Sequence, residues 1–482
     1  SFTGNRIDYA AAMVRNRRIF TAKWRTVDGS SPQGKKLATV NALLRCASFR
    51  EQGRLRDAVD VLINAITVAP EDPRIYATLA GIFIEGKEFS QAVEVIDAAP
   101  AAMREEAETL VLMATAKEGL GLLDEAEALA NRVLLLQPRS APMLTLKGAI
   151  AFRRGDRQAA AELFQQSITA DPGHGEAYTN LGVLEWSEGR QQPALDLLET
   201  GFRLAPTVPD HAALYRAAFV EIEAFARAER TIADACAVYP QSKNLRRLHS
   251  ESLLGQHRHA DALPIMLQEL VERDSDDETL SVVLQVRNKV GPRSIPPGKK
   301  GAISLCMIVK NEERNIGRCL ANAQSLADEV IVIDTGSDDR TKDIARAFGC
   351  QVFDFPWDYD FAKARNASLA RARGDWILIL DADEAIAPQD HARLRNLVRN
   401  GGGSVAYAFT TRNYLNVTNA EGWTVNDGVY SEERGTGWIP STKVRLFPRD
   451  RRIAFEFPVH ELVDPSLVRN GYLIVPTNIP VH

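Results

Sequence analysis

The spacing of apolar and polar positions changes character once along the chain. The first half reads as short helices punctuated at a fixed interval. From Ala302 onward, short apolar runs at Ile303 to Val309, Val330 to Ile333, Val352 to Phe355 and Trp376 to Leu380 alternate with helical stretches. That alternation predicts βα units around a mostly parallel sheet.

The punctuation of the helical half is regular. Pro70, Pro138, Pro172, Pro206 and Pro240 fall on a 34-residue ruler with one empty slot at Arg104. Ala58, Ala92, Ala126, Ala160, Ala194, Ala228 and Ala262 fill a second slot without a gap, and Gly53, Gly121, Gly155 and Gly189 mark a third. Glycine permits the tight turn between two short helices, alanine lets them approach closely, and proline ends the second helix. Each unit is therefore a helical hairpin, and residues 39 to 276 predict seven of them stacked into a superhelical α-solenoid.

Period and slots together resemble the tetratricopeptide repeat. The unit 175 to 208 fits best, with Tyr178, Leu181, Gly182, Gly189, Ala194 and Pro206, whereas the second and last units lack the proline. The resemblance implies a concave groove for an extended peptide or partner protein. A purely structural or dimerising scaffold is the alternative, because the period specifies the solenoid and not its ligand.

The flanks differ from the repeats. Residues 1 to 38 carry Arg6, Arg15, Arg17, Arg18, Lys23, Arg25, Lys35 and Lys36 against Asp8 and Asp28, with Met13, Phe20, Trp24 and Val27 at helical spacing. Such a helix caps the first repeat or touches an anionic membrane surface. Residues 277 to 301 read as one more helix, over 278 to 290, followed by the Pro, Gly and Lys of a linker (GPRSIPPGKKG). Residues 302 to 482 form the α/β part.

Composition narrows the function. The 482 residues hold 58 Lys plus Arg against 63 Asp plus Glu, a net charge of −5, which excludes a protein devoted to coating nucleic acid. Neither a run of apolar residues long enough to span a membrane nor a signal peptide is present, and the start at Ser1 without Met leaves room for a short missing N-terminal piece. The cysteines, Cys46, Cys236, Cys306, Cys319 and Cys350, are odd in number, lack a CxxC pair and read as reduced thiols. The location expected is the cytoplasm, with the inner face of the membrane as a secondary site. Against that background the sequons at Asn366 and Asn416 carry no weight.

The chemistry lies where the apolar runs end. In a parallel sheet ligands bind at the carboxyl ends of the strands. Lys310-Asn311-Glu312, Asp334-Thr335-Gly336-Ser337 and Asp381-Ala382-Asp383-Glu384 occupy those ends. On extended backbone Asp381 and Asp383 point the same way. Two hard oxygen donors there suit Mg²⁺ or Mn²⁺ carrying a diphosphate.

Several blocks resemble family 2 glycosyltransferases of the GT-A fold: SLCMIVKNEE at 304 to 313, DEVIVIDTGSDDRT at 328 to 341 and FAKARNASLARARGDWILILDADE at 361 to 384. Lys443-Val-Arg445-Leu446-Phe447 and Val459-His460-Glu461 resemble elements of the lipopolysaccharide-core glucosyltransferase-like and bacteriocin-peptide glycosyltransferase-like branch. The fold expected is thus an all-α tetratricopeptide solenoid followed by an α/β, Rossmann-like GT-A nucleotide-sugar transferase domain. The resemblance implies Val309, Lys310 and Glu312 beside the nucleotide, and Asp334 on its base or ribose. It implies Arg365 and Asn366 on the diphosphate side, Asp381 on ribose or metal and Asp383 as principal metal ligand, with His482 or its competitor His460 completing the metal site. At Asp334-Thr335 the chain has one acid where the family usually shows two.

The resemblance also implies inversion at the anomeric centre, with Glu461 as the base and Glu384 as the alternative. The cofactors implied are Mn²⁺ or Mg²⁺ and a nucleotide-sugar donor, expected to be a UDP-sugar. Residues 412 to 437, rich in Asn, Gly and aromatics, read as a loop over the acceptor site. Three functions follow in order of preference. The first is transfer to Ser or Thr of a surface or flagellar polypeptide captured by the repeats. The second is transfer to a lipid-linked or lipopolysaccharide acceptor with the repeats as scaffold. The third is an inactive adaptor. An oligomer is compatible with each.

Overall fold

The computed structural model describes residues 31 to 482 apart from 52–53, 274 and 417–420. Of the basic segment 1 to 38, residues 1–30 lie outside the described residues, and with them most of the membrane contact expected of it, whereas Lys35 and Lys36 stand on the helix Pro32–Glu51. The chain divides into two compact units, Ser1–Ile222 and Glu223–His482.

In the first unit helices run in pairs: Pro32–Glu51 with Leu55–Val68, Pro73–Glu85 with Phe89–Ala98, Ala107–Gly119 with Leu123–Leu136, Ala141–Arg153 with Arg157–Ala170, and Gly175–Ser187 with Gln191–Leu204, before Pro209–Glu221. The sequence ruler explains the packing. All members of the alanine slot, from Ala58 to Ala262, are fully buried, so a larger side chain there has nowhere to go. Gly182 marks another close approach, since a Cβ on it would lie 2.8 Å from Leu198 Cγ. The turn slot is left-handed wherever it is described. Gly121, Gly155 and Gly189 have φ of 77°, 86° and 78°, and Lys87, Glu223 and His257 adopt φ of 60°, 54° and 58° at the same slot without being glycine. At the empty proline slot the chain uses Pro100 instead: the helix stops at Ala98 and a short turn of helix, Ala101–Arg104, fills the gap.

The second unit opens with helices Phe225–Val238, Lys243–Gly255, His259–Glu272 and Asp277–Val290, followed by a mixed sheet. Its strands are β1 (Ile303–Val309), β2 (Glu329–Asp334), β3 (Gln351–Asp354), β4 (Trp376–Ile379), β5 (Val405–Leu415), β6 (Thr424–Val425), β7 (Gly437–Pro448) and β8 (Leu473–Val481), in the order β3-β2-β1-β4-β7-β5-β8, with β6 against β7. The first four strands are parallel. β7 then runs antiparallel between β4 and β5, and β8 is parallel to β5. The near-continuous apolar runs of β1, β2 and β4 are buried, as a sheet covered on both faces requires.

The repeat-like helices of this unit and one face of the sheet share a single core. Leu253, Leu263, Leu270 and Val283 pack in the same cluster as Leu305, Leu320, Val332 and Leu378. Polar ties run along the same seam. Arg287 Nε–H donates to the Ala347 carbonyl at 2.8 Å, and Arg293 Nη2–H to the Gln324 and Ala327 carbonyls at 2.7 Å each. Arg340 Nη1–H donates to the Ser275 carbonyl at 2.6 Å and pairs with Asp277 at 3.0 Å. The segment Gly291 to Gly301 is part of this seam through Arg293 and through Lys299, which pairs with Asp328 at 2.5 Å.

No disulfide forms among the described residues; Cys46, Cys306, Cys319 and Cys350 are buried and Cys236 is half-buried. Burial pushes the Cys306 and Cys350 thiols up to about 12. A thiol reagent at pH 8 is therefore expected to label no more than Cys236 in the folded protein, and all the cysteines after guanidinium denaturation. Rapid native labelling of a second thiol would contradict this burial.

Candidate functional site

The carboxyl ends of β1, β2 and β4 lie side by side, and the acidic segments that follow them meet there. After β1, Val309 is buried and its carbonyl accepts from Thr335 N–H and Oγ1–H at 3.0 and 3.1 Å, which ties the first two strand ends together. Lys310 is exposed and Asn311 turns the chain at φ 55°. Glu312 Oε2 accepts from Asn315 Nδ2–H at 2.9 Å. After β2, Asp334 is fully buried. Its Oδ1 accepts from the Gly336 and Ser337 N–H groups at 3.0 and 2.8 Å, while Oδ2 has no partner. A buried carboxylate oxygen without a donor is costly unless a ligand supplies one. The N–H of a base or the hydroxyl of a ribose would do so.

After β4 the acids are not equivalent. Asp381 faces two guanidinium groups: Arg365 Nη2 lies 2.5 Å from Oδ1 and Arg445 Nη1 lies 3.7 Å from Oδ2. Burial raises the Asp381 pKa, but Arg365 and Arg445 outweigh it and hold the carboxyl at about 2. Glu384 is engaged at both oxygens, by Arg445 and by the Asp381 N–H at 2.9 Å. Asp383 points to solvent and makes no hydrogen bond or ion pair among the described residues.

Arg365 is itself buried, on helix Phe361–Leu369 capped by Asp360, and its Nε lies 3.4 Å from Glu461 Oε1. It thus joins the DxD segment to the Val-His-Glu segment. Asn366 is committed elsewhere. Its side chain donates to the Phe455 carbonyl at 2.9 Å and accepts the Phe455 N–H at 2.8 Å, fixing the chain that leads to Glu461. His460 is exposed at φ 57°.

His482 sits at the other side of the DxD turn. Its backbone exchanges hydrogen bonds with Ala385, N–H to carbonyl at 2.8 Å and the reverse at 2.7 Å. Its Nδ1 is 2.6 Å from Tyr414 Oη, Tyr430 packs on the ring at 4.5 Å, and the buried Nε2 has no partner. Burial lowers its pKa to about 4, so the imidazole is neutral at neutral pH and able to ligate.

These donors fit a divalent cation only in part. Among the described residues no group of three or more His, Cys, Asp or Glu stands ready to hold a metal. Asp381 is occupied by arginines, which leaves the Asp383 carboxylate and His482 Nε2 as the free donors. Mg²⁺ or Mn²⁺ takes one or two protein ligands together with phosphate oxygens and water; of the two free donors Asp383 is exposed and His482 Nε2 is buried.

Sequence reasoning gave no role to Arg445, the largest fully buried side chain among the described residues, or to Tyr414, Tyr430 and Arg412. A signal existed for the first: Lys443 and Arg445 stand two apart on a strand, hence on one face, within an otherwise apolar run. The loop after β5 gave none. It is organised by Arg412, which pairs with Glu433 at 2.9 Å and lies over the rings of Tyr430 and Trp438 at 4.9 and 4.7 Å.

Comparison with known proteins finds likeness to two kinds of protein, one in each part of the chain. The family model described as glycosyl transferase family 2 matches residues 304–459. Tetratricopeptide repeat models match 49–114, 111–174 and 145–209. A TPR repeat-containing protein of Synechococcus elongatus is 40% identical over 167 residues, 34% of this chain and 36% of that protein. An uncharacterized glycosyltransferase of Rickettsia typhi is 36% identical over 87 residues, 18% of this chain and 30% of that protein. The SPbeta prophage-derived glycosyltransferase SunS of Bacillus subtilis is 28% identical over 193 residues, 35% of this chain and 40% of that protein. The chain thus spans between 30% and 40% of the length of these relatives. Among the described residues no helix is long and apolar enough to cross a membrane.

Proposed function

We infer that this chain, a run of tetratricopeptide repeats fused to a glycosyltransferase family 2 domain, moves a sugar from a nucleotide-sugar donor to Ser or Thr side chains of a polypeptide held by the repeats. The observation that carries the chemistry is the constellation at the strand ends: Asp334 with a buried oxygen awaiting a donor, and Arg365 bridging Asp381 to Glu461.

In this reading Asp334 Oδ2 receives the nucleotide. The unpaired Nη1 of Arg365 offers a charge-assisted donor to the diphosphate side. Glu384 is saturated by Arg445 and the Asp381 N–H, which favours Glu461, paired more loosely with Arg365 at 3.4 Å, as the base. Glu461 takes the proton of the acceptor hydroxyl as its oxygen bonds the anomeric carbon; the bond from that carbon to the diphosphate breaks on the opposite face, and its electron pair leaves with the nucleotide. A metal held by Asp383 and His482 would neutralise charge on the departing diphosphate. The polypeptide acceptor rests on the repeats, since holding the acceptor close raises its effective concentration at the site.

The test supplies the protein with Mn²⁺, radiolabelled nucleotide sugars and cell lysate, and partitions the label. Label in protease-sensitive protein is the expected result. Label confined to organic-extractable lipid would replace the acceptor and make the repeats a scaffold. With a defined acceptor, Glu461→Gln is expected to lower kcat by on the order of 10²- to 10⁴-fold while UDP still raises the melting temperature. Transfer near the parent rate would remove Glu461 as base.

A further inference from the structure

The segments that follow β1 and β2 are fastened to each other, side chain to backbone. Asn311, at φ 55°, donates its N–H to Ser337 Oγ at 2.9 Å and accepts the Asp338 N–H on its own Oδ1 at 3.0 Å. The next two N–H groups are taken in the same way, that of Glu312 by Thr341 Oγ1 at 2.7 Å and that of Glu313 by Asp339 Oδ2 at 3.1 Å. Ser337 in turn gives its N–H to Asp334, the carboxylate whose second oxygen is buried without a donor. A connected set of hydrogen bonds thus runs from Asp334 through both segments. A backbone with a residue in the left-handed region keeps that shape only while its surroundings fix it.

The far end of this set leaves the α/β part. Arg340 N–H and Nε–H both donate to Glu313 Oε2, at 3.2 and 3.1 Å, and Nη1–H crosses to the Ser275 carbonyl at 2.6 Å and to Asp277 at 3.0 Å. The turn it reaches is itself fixed. Ser275, at φ 57°, gives its N–H to the Leu270 carbonyl at 2.8 Å and closes the helix His259–Glu272. Asp276 caps the helix Asp277–Val290 by accepting the Thr279 N–H at 2.9 Å. Ser275 is buried, and Gly317, at the start of the helix Ile316–Ala323, lies against it, since a Cβ on Gly317 would be 3.5 Å from Ser275 Oγ. A guanidinium suits such a link: its planar fork holds several acceptors at set angles, and the end of a helix offers it carbonyls. Charge adds a second reason. The two segments carry Glu312, Glu313, Asp334, Asp338 and Asp339, and pairing Glu313 with Arg340 offsets one of the acids that an anionic diphosphate would otherwise meet.

We propose that Arg340 is a positioning residue for nucleotide binding, and that through it the turn at 275 to 277, between the last two helices before the sheet, supports the donor site. Lys310 and Asp334 are presented to a nucleoside diphosphate in register only while Arg340 grips that turn. Nucleotide affinity is therefore set in part by the end of the helical array. This proposal rests on the nucleotide-sugar reading above and is independent of which acceptor takes the sugar.

Calorimetric titration of the full chain with UDP and Mn²⁺ tests it without an acceptor. Arg340→Ala is expected to weaken UDP binding about tenfold, and Arg340→Lys, which keeps the cation without the fork, by less. Asp277→Lys sets a like charge beside the guanidinium. It is expected to weaken UDP binding about threefold in the parent and to have no effect once Arg340→Ala is present, because its influence passes through Arg340. Arg293→Ala removes the other ties of the same seam, to the Gln324 and Ala327 carbonyls, and is the control. It is expected to lower the melting temperature at least as much as Arg340→Ala while UDP affinity stays within about twofold of the parent. Parent-like affinity in Arg340→Ala, an equal loss in Arg293→Ala, or an effect of Asp277→Lys that persists without Arg340 overturns the proposal alone. A parent protein that binds none of UDP, GDP, ADP and dTDP overturns the nucleotide-sugar reading, and the proposal with it.

Discussion

Replacing Arg445 with methionine is expected to destabilise the second unit by about 3–5 kcal/mol, lowering its melting temperature by on the order of 10 °C. The side chain is 2% exposed and stands between the carboxylates of Glu384 and Asp381. Methionine matches its volume roughly but leaves Glu384 without its cation in a buried setting. Such a broken pair costs more than the pair itself contributes, because the remaining charge has been taken from water and has no partner. Adding Glu384→Gln should therefore recover much of the loss, and the double variant separates an uncompensated charge from simple misfit. The sign with pH follows from Asp381. Its depressed pKa adds stability that is complete above the unfolded value of about 3.9 and is lost as pH falls through about 2. The excess stability of the parent over Arg445→Met should shrink on acidification through that window. Equal melting of the two proteins at neutral pH would show that the cluster is solvated and the ion pairs weak.

The second large effect concerns the other acid of the motif. Asp383→Ala is expected to lower transfer by on the order of a hundred- to a thousandfold while leaving the melting temperature of the free protein within error. Asp383 is exposed and has no partner to lose among the described residues, so nothing in the fold depends on it. The diagnostic reading is binding: UDP with Mn²⁺ should stabilise the parent and fail to stabilise the variant, because a ligand raises stability only through the site that binds it. Asp381→Asn should behave oppositely in the free protein, melting lower because it breaks contacts with Arg365 and Arg445. If Asp383→Ala retained full transfer, the cation would have to be held elsewhere or its charge supplied by the arginines alone.

That contrast marks where sequence reasoning succeeds and where it stops. The repeat half was readable because its constraints are local and periodic. An alanine at a fixed offset is buried in every unit, and the turn slot is left-handed even where Lys87, Glu223 or His257 stands in for glycine. The strand ends were readable because acidic residues after apolar runs have one place to go in a parallel sheet. The two acids of Asp381-Ala382-Asp383 look alike in sequence, yet one is clamped by arginines from a helix and a distant strand and the other is free. That difference depends on the pairing of β4 with β7, which no local spacing encodes. Asn366 was likewise visible as a residue next to Arg365, but its commitment to the backbone of Phe455, 89 positions later, was not. The ring cluster of Arg412, Tyr430 and His482 is also assembled by contacts distant in sequence.

The common core of the Lys243–Val290 helices and the sheet sets limits on how this protein can be taken apart. Leu263, Leu270 and Val283 bury against the same residues that the strands bury, so a cut at the apparent border near residue 301 would strip one wall from the catalytic sheet. A catalytic fragment made by such a cut would display that wall as an adhesive apolar surface, whereas one beginning near Glu223 keeps it covered. The same reasoning applies to evolution. Repeats ahead of that point can be gained, lost or exchanged without uncovering the sheet, but the last helices share its core and have to be inherited with it.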